Sequence, residues 1–238
     1  MKRRITKRKS GVLLAIILIA FLIAVLDYEY VFPASFGNDP KPVILYYNPL
    51  NPLKLTPDRF PGVVSYALEN HFNTLMLVVY AYNHYIFNDS TIAYYDQYAD
   101  SHNLTFVPSY YIVSLADKIN VSGFKWVNLD MESISTLQER FFYAEISRLA
   151  PLVSVTSPYG RTLLYNAELN IIETYTGVPY FWFEQIWFDH SNAMCSVNAG
   201  YIAKQVNYAS EFNYCLRYSE GVMVFDYYNL VKSNFSTP

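Results

Sequence analysis

From Gly11 to Leu26 the chain carries no polar side chain (GVLLAIILIAFLIAVL). A helix over this run is apolar on every face, the pattern of a membrane span rather than of a surface helix. The 16 residues reach about 24 Å at 1.5 Å each, against a bilayer core of about 30 Å. Flanking Lys and Arg side chains can snorkel across the difference. Beyond residue 42 the rhythm changes to short apolar runs separated by amphipathic stretches. Val43–Tyr47 is a β-rich run that stops at Asn48-Pro49. Pro61 suits a first helical turn, and Val63, Val64, Ala67 and Leu68 give that helix an apolar face. Thr74–Tyr82 is apolar almost throughout, as in a strand covered on both sides. Thr91–Ser101 reads as a helix and Leu104–Ile112 as a strand, although Pro108 argues against its middle. Trp126–Glu132 is the next strand. Ser135 and Gln138 form a capping-box pattern, so a helix is expected over 136–149, before Pro151. Leu152–Thr156 or Thr162–Tyr165, and Tyr180–Phe188, read as further strands. Ser196–Tyr218 has helical spacing, and Gly221–Tyr227 closes the series as a strand.

Repeated β-α units of about 30 residues imply a parallel sheet. Residues 43–238 sit near the lower size limit for a (β/α)8 TIM barrel, the expected α/β architecture. An open doubly wound sheet is the alternative. One echo supports the repeat: Glu69-Asn70-His71-Phe72-Asn73 and Asp100-Ser101-His102-Asn103 each precede a strand. Both read as helix C-termini, with His near the negative dipole end and Asn as a left-handed cap.

Charge fixes orientation. The 238 residues carry 17 basic and 20 acidic side chains, a formal net of −3. Lys2, Arg3, Arg4, Lys7, Arg8 and Lys9 precede the apolar run, so the remainder holds 11 basic against 20 acidic, a net of −9. Residues 1–10 are therefore expected in the cytoplasm, 11–32 as anchor and interface, 33–42 as stalk and 43–238 outside. Tyr28 and Tyr30 suit the interfacial belt. A cleaved secretory signal is the alternative, but signal cores run about 7–15 residues and end in a small-x-small site, and no clean site follows here. Four sequons, at Asn88, Asn103, Asn120 and Asn234, accord with an exported, glycosylated domain. Cys195 and Cys215 either bridge, which requires a break in the helix between them, at Gly200, or are two buried thiols. Only 16% of residues are charged, and an acidic exported face repels phosphates, which excludes a nucleic-acid partner. No G-x-G-x-x-G or phosphate loop follows a strand, and no Cys/His spacing fits a metal, so no cofactor is expected.

The chemistry concentrates in Trp126-Val-Asn128-Leu-Asp130-Met-Glu132. Strand side chains alternate, so Asn128, Asp130 and Glu132 share one face. In a barrel that face climbs the lumen toward the C-terminal mouth, where active sites lie. Two carboxylates about 6.6 Å apart along a strand couple, and a raised Glu is a general acid beside an ionised Asp.

Asn128-Leu-Asp130-Met-Glu132 resembles the D-x-D-x-E signature on the fourth strand of family 18 glycoside hydrolases, the chitinase-like barrels. Ile186-Trp-Phe-Asp189-His190 is similar to their M-x-Y-D motif, and Gly221-Val-Met-Val-Phe225 to their last strand. Phe72-Asn-Thr-Leu75 is a phrase common at turns of sugar-cleaving barrels. The resemblance implies Glu132 as the acid, Asp130 as the group that orients the substrate's N-acetyl arm and Asp189 as a sugar-binding group; Asn128, on the same strand face, and Asp226 are expected to line the same cleft. Asn128, Lys125, Phe188 and Phe225 stand where that family has Asp, Asp, Tyr and Trp. Tyr residues at expected strand ends, Tyr82, Tyr110 and Tyr228 among them, suit sugar faces. With 24 Tyr in the chain, the competing reading is a non-catalytic cell-surface or viral membrane protein whose Tyr-rich loops bind a protein partner.

Overall fold

The computed structural model describes residues 40–49, 55–131, 134–158, 167–173, 193–198, 212–213, 215–217 and 219–233. The Gly11–Leu26 anchor, Glu132, Asp189, Asn234, and the strands expected at Thr162–Tyr165 and Tyr180–Phe188 lie outside them. Among the described residues no helix is long and apolar enough to cross a membrane.

Nine strands follow in chain order: β1 (Val43–Tyr47), β2 (Thr74–Ala81), β3 (His84–Tyr85), β4 (Thr105–Tyr111), β5 (Trp126–Asp130), β6 (Leu152–Pro158), β7 (Leu169–Glu173), β8 (Ala193–Asn198) and β9 (Val222–Phe225). The described helices are α1 (Phe60–Glu69), α2 (Asp89–Asp100), α3 (Thr136–Ile146) and α4 (Tyr227–Ser233). The sheet order is β1-β9-β8-β7-β6-β5-β4-β2-β3, and β1 also pairs with β2. That last pairing, Ile44 with Thr74 through Tyr47 with Leu77, closes eight parallel strands into a barrel. The closed (β/α)8 barrel is therefore the architecture, and the open sheet is excluded. The ninth strand, β3, is a short antiparallel flap on β2.

Two apolar layers follow from the period of two along each strand. Ile44, Tyr46, Met76, Val78, Val107, Trp126, Leu169, Ile171, Met194 and Met223 fill the lumen. Leu45, Leu75, Val127, Leu129, Val153, Val155 and Val224 face outward, packed with helix residues such as Phe60, Val63, Ile92 and Phe142. On β2 the alternation slips between Val78 and Tyr80, so Val79 and Tyr80 both join the outer layer.

The helix-to-strand turns repeat, one residue out of the register expected. His71 N–H bonds the Leu68 carbonyl and Phe72 N–H the Ala67 carbonyl; Asn103 N–H bonds Asp100 and Leu104 N–H bonds Ala99. These are two copies of one Schellman cap. The left-handed residue is His71 (φ 59°) in the first and Asn103 (φ 57°) in the second. Asn73 has another task. Its Oδ1 accepts from Val43 N–H (2.8 Å) and its Nδ2 donates to the Lys41 carbonyl (2.9 Å), tying the starts of β1 and β2 together. Lys41 Nζ also donates to the Leu216 and Ser219 carbonyls at 3.1 and 2.6 Å. Residues 41 and 42, expected as stalk, are thus the first step of the barrel.

The long helix expected over Ser196–Tyr218 is corrected. Ser196–Asn198 belong to β8, and the described helical residues there are 212–213 and 215–217. Cys195 and Cys215 form a disulfide, with α-carbons 5.7 Å apart, joining β8 to that helical segment. Leu152–Pro158 is the strand of the two alternatives that the described residues include. Strands β3 and β7 and helix α4 were not expected, and the end of Gly221–Tyr227 turns into α4.

Candidate functional site at the barrel mouth

Trp126, Asn128 and Asp130 point into the lumen, as alternation on β5 requires, while Val127 and Leu129 pack outward. Asn128 is fully buried in the middle of the barrel. Its Nδ2 donates to Ser109 Oγ (2.9 Å), and its Oδ1 accepts from Ser154 Oγ (2.8 Å) and Thr156 Oγ1 (3.2 Å). Trp126 Nε1 donates to the same Ser154 hydroxyl at 2.9 Å. This neutral ladder crosses β4, β5 and β6 and satisfies polar groups that would otherwise cost about 1–3 kcal/mol each. Asn128 is therefore bound into the hydrogen-bond ladder of the barrel's interior.

Asp130 stands one step higher, at the C-terminal end of β5, with about 6% exposure. The Tyr46 hydroxyl, from β1 across the barrel, donates to its Oδ2 at 3.1 Å. The Tyr46 ring lies against Phe225 of β9, centroids 5.0 Å apart. In the sheet register Asp130 stands beside Tyr111 of β4 on one side and Thr156 of β6 on the other. Tyr111 packs against the lumen cluster, and its ring meets Tyr82 edge to face at 5.5 Å. The mouth is thus a carboxylate held by a phenol, edged with aromatic rings.

The other expected site residues scatter. Tyr110 belongs to the outer layer, is buried, and donates its hydroxyl to the Asn120 carbonyl (2.8 Å). Its neighbour Tyr111 has the lumen parity that Tyr110 lacks. The signal was present: Ser109 is a polar lumen position, and Tyr111 follows it by two. Asp226 is buried at the start of α4, where its carbonyl accepts Leu230 N–H. Its carboxylate lies within electrostatic reach of the Tyr47 phenol, which belongs to the outer layer. Tyr228 is half-buried in the first turn of α4. Asn88 N-caps α2, accepting from Thr91 N–H at 2.8 Å. Asn88, Asn103 and Asn120 are all exposed.

Much of the Tyr excess is structural. Burial, with Tyr227 next to it, pushes the Tyr47 phenol up to about 12. Burial and the Asp117 carboxylate push Tyr80 up to about 12. Asp117 anchors the loop after β4: its Oδ2 takes Val113 and Ser114 N–H at 2.9 and 3.0 Å, and its Oδ1 takes the Tyr80 hydroxyl at 3.2 Å. The Tyr85 hydroxyl accepts Asn120 N–H at 2.6 Å in the same loop. Among the described residues no group of three or more His, Cys, Asp or Glu is placed to hold a metal ion.

No protein-family profile matches the sequence, and no curated protein matches it. Solved structures do. A family 18 chitinase from the chitin utilization locus of Flavobacterium johnsoniae superposes with a TM-score of 0.51 at 12% identity, covering 81% of this chain and 89% of the chitinase. The α-galactosidase of Lactobacillus brevis gives 0.55 at 10% identity, over 83% of this chain and 38% of its own. A family 113 β-1,4-mannanase gives 0.51 at 11%, over 79% and 88%. At such identities the likeness is one of fold, and the chain has a glycoside-hydrolase-like (β/α)8 barrel.

Proposed function

We propose that the protein is a membrane-anchored, extracytoplasmic barrel that binds a carbohydrate at its C-terminal mouth and cleaves its glycosidic bond. The observation that carries this reading is the Tyr46–Asp130 hydrogen bond at the top of the lumen. A carboxylate buried beneath an aromatic rim is poor storage for charge but suits a group that must orient a sugar. In this reading Asp130 positions the substrate and Glu132, two residues on in the sequence, protonates the leaving oxygen as the C–O bond breaks, and water supplies the oxygen and proton that complete the two products. Asp189 is the further sugar-binding group that the resemblance implies.

The Cys195–Cys215 bridge favours an oxidising compartment, which accords with an N-terminus in the cytoplasm and the barrel outside. Exposure of Asn88, Asn103 and Asn120 leaves three sequons open to modification there. The test is hydrolysis of a glycan panel by the full chain in detergent, with Glu132→Gln and Asp130→Asn as variants. Loss of turnover in both, with glycan binding kept in Glu132→Gln, supports the reading. Turnover that survives Glu132→Gln removes Glu132 as the acid. Binding by the wild type without any turnover leaves a sugar-binding barrel in place of an enzyme.

A further inference from the structure

Tyr82 occupies a backbone position that a tyrosine rarely takes. Ala81 pairs with His84, so Tyr82 and Asn83 alone make the turn between β2 and β3. Both have positive φ, 51° and 66°. That is the type I′ hairpin turn, which favours Asn or Gly at both positions. Asn83 fits the rule. A bulky non-glycine residue there stores local strain, and retained strain of this kind concentrates at ligand clamps. The ring gains little burial in exchange: Tyr82 is 61% exposed. Its partner is Tyr111, at 5.5 Å, and Tyr111 is registered beside Asp130. Asp130 on β5, Tyr111 on β4 and Tyr82 in the turn that follows β2 therefore stand in a row leading from the lumen to solvent.

We propose that Tyr82 is the distal stacking platform of the mouth, taking the apolar face of a sugar in a chain of linked pyranoses whose inner end lies at Asp130. The proposal rests on the carbohydrate reading above and adds its substrate class, oligomeric or polymeric rather than monomeric. Geometry sets the length requirement. Two strand spacings at about 4.8 Å each separate β5 from β2, so a single sugar at Asp130 ends at Tyr111, and a chain continues to Tyr82. The phenol face supplies apolar area with little ordering cost, because the hairpin and Tyr111 already hold the ring.

The experiment measures binding of N-acetylglucosamine, mannose and glucose oligomers, β-1,4-linked, from monomer to hexamer, to the full chain in detergent micelles. Tyr82→Asn is the main variant and Tyr82→Phe the conservative one, with melting temperature read for each. Expected for Tyr82→Asn is about tenfold weaker hexamer binding, the loss of one stacked ring, with monomer binding unchanged. Its melting temperature should rise, because Asn adopts the left-handed conformation more easily. Tyr82→Phe should bind the hexamer like the wild type. Hexamer binding equal to wild type in Tyr82→Asn overturns the platform and leaves the Asp130 site standing. Equal weakening at every length also overturns it, since the residue then acts through the site as a whole. A wild type that binds none of the oligomers overturns both readings together.

Discussion

Breaking the Cys195–Cys215 bridge tests how the last third of the barrel is held. The two residues are 20 positions apart in sequence, so the bridge closes a loop of that size in the unfolded chain. Chain-entropy arithmetic gives roughly 11 cal/mol/K for such a loop, or about 3 kcal/mol at 25 °C. Cys195 sits on β8, whose neighbours are β7 and β9, so the bridge fixes helical residues 215–217 onto the closing edge of the barrel. For a domain of this size each kcal/mol moves the melting midpoint by about 2–4 °C. Reduction, or the double variant Cys195→Ala with Cys215→Ala, should then lower the midpoint by roughly 6–12 °C. The double variant should lose somewhat more, since both sulfurs are buried and leave space behind. Calorimetry of the full chain in detergent, with and without reductant, reads the shift, and mass spectrometry of the alkylated chain reports the thiol state. Complete reduction with a midpoint change below about 2 °C would refute the reasoning, because it would mean that the bridge constrains neither state. Thiols that alkylate freely in chain isolated without reductant would refute it as well.

Other outcomes follow from the same geometry. Asp117→Ala strands two backbone N–H groups and the Tyr80 hydroxyl, a cost of about 3 kcal/mol. Hydrogen exchange should show the Val113 and Ser114 amides opening, and protection equal to wild type would count against the anchor. Gly221→Ala drives a Cβ against the Pro42 carbonyl oxygen and to 3.0 Å from the Met194 methyl. A loss of about 1–3 kcal/mol in denaturant unfolding is expected, and an unchanged midpoint would contradict the packing. Tyr47, Tyr66, Tyr80 and Tyr95 all titrate near 12 when folded, chiefly through burial, against 10 unfolded. Their stabilising share is whole below pH 10 and drains away as pH climbs from 10 toward 12. Phenolate absorbance should therefore rise with loss of circular dichroism, and complete ionisation near pH 10 in folded protein would refute it. Protease added outside intact cells should digest the barrel and spare an N-terminal tag, and the reverse pattern would overturn the orientation.

Strong apolar runs made the first half of the barrel legible. Val43–Tyr47 matches β1 as read, Thr74–Tyr82 overshoots β2 by one residue, and the capping box of Ser135 and Gln138 begins α3 where expected. Pro108 did not prevent β4; it pairs opposite Leu77 inside the strand. The second half was harder because its apolar runs are short and interrupted by polar residues. In β8, Ala193-Met-Cys-Ser-Val-Asn198 alternates outward Ala193, Cys195 and Val197 with inward Met194 and Ser196, a mixture with little β signature. Helical spacing from Ile202 onward then drew the expected helix back over it. β7 holds five residues, with Asn170 second and Glu173 last, and so gave only a two-residue apolar run to read. Parity on β5 was enough to turn Asp130 toward the lumen, because alternation needs no knowledge of neighbours. Tyr46 was missed as its partner, because the pairing of β1 with β5 across a lumen is invisible along the chain. The ladder around Asn128 was illegible for the same reason: its three hydroxyl partners come from two other strands.

The groups that lock this barrel together say something about where it can work. Asn73 at its base, the Asn128 ladder in its lumen, and Tyr85 and Tyr110 on the loop after β4 are amides, alcohols and phenols. The amides of Asn73 and Asn128 and the hydroxyls of Ser109, Ser154 and Thr156 carry no ionisable charge. Neutral hydrogen bonds are also indifferent to ionic strength, which dissolves exposed ion pairs. Salt therefore has little to screen at these joints, and the lumen ladder and the Asn73 tie should hold in brine as they do in dilute buffer.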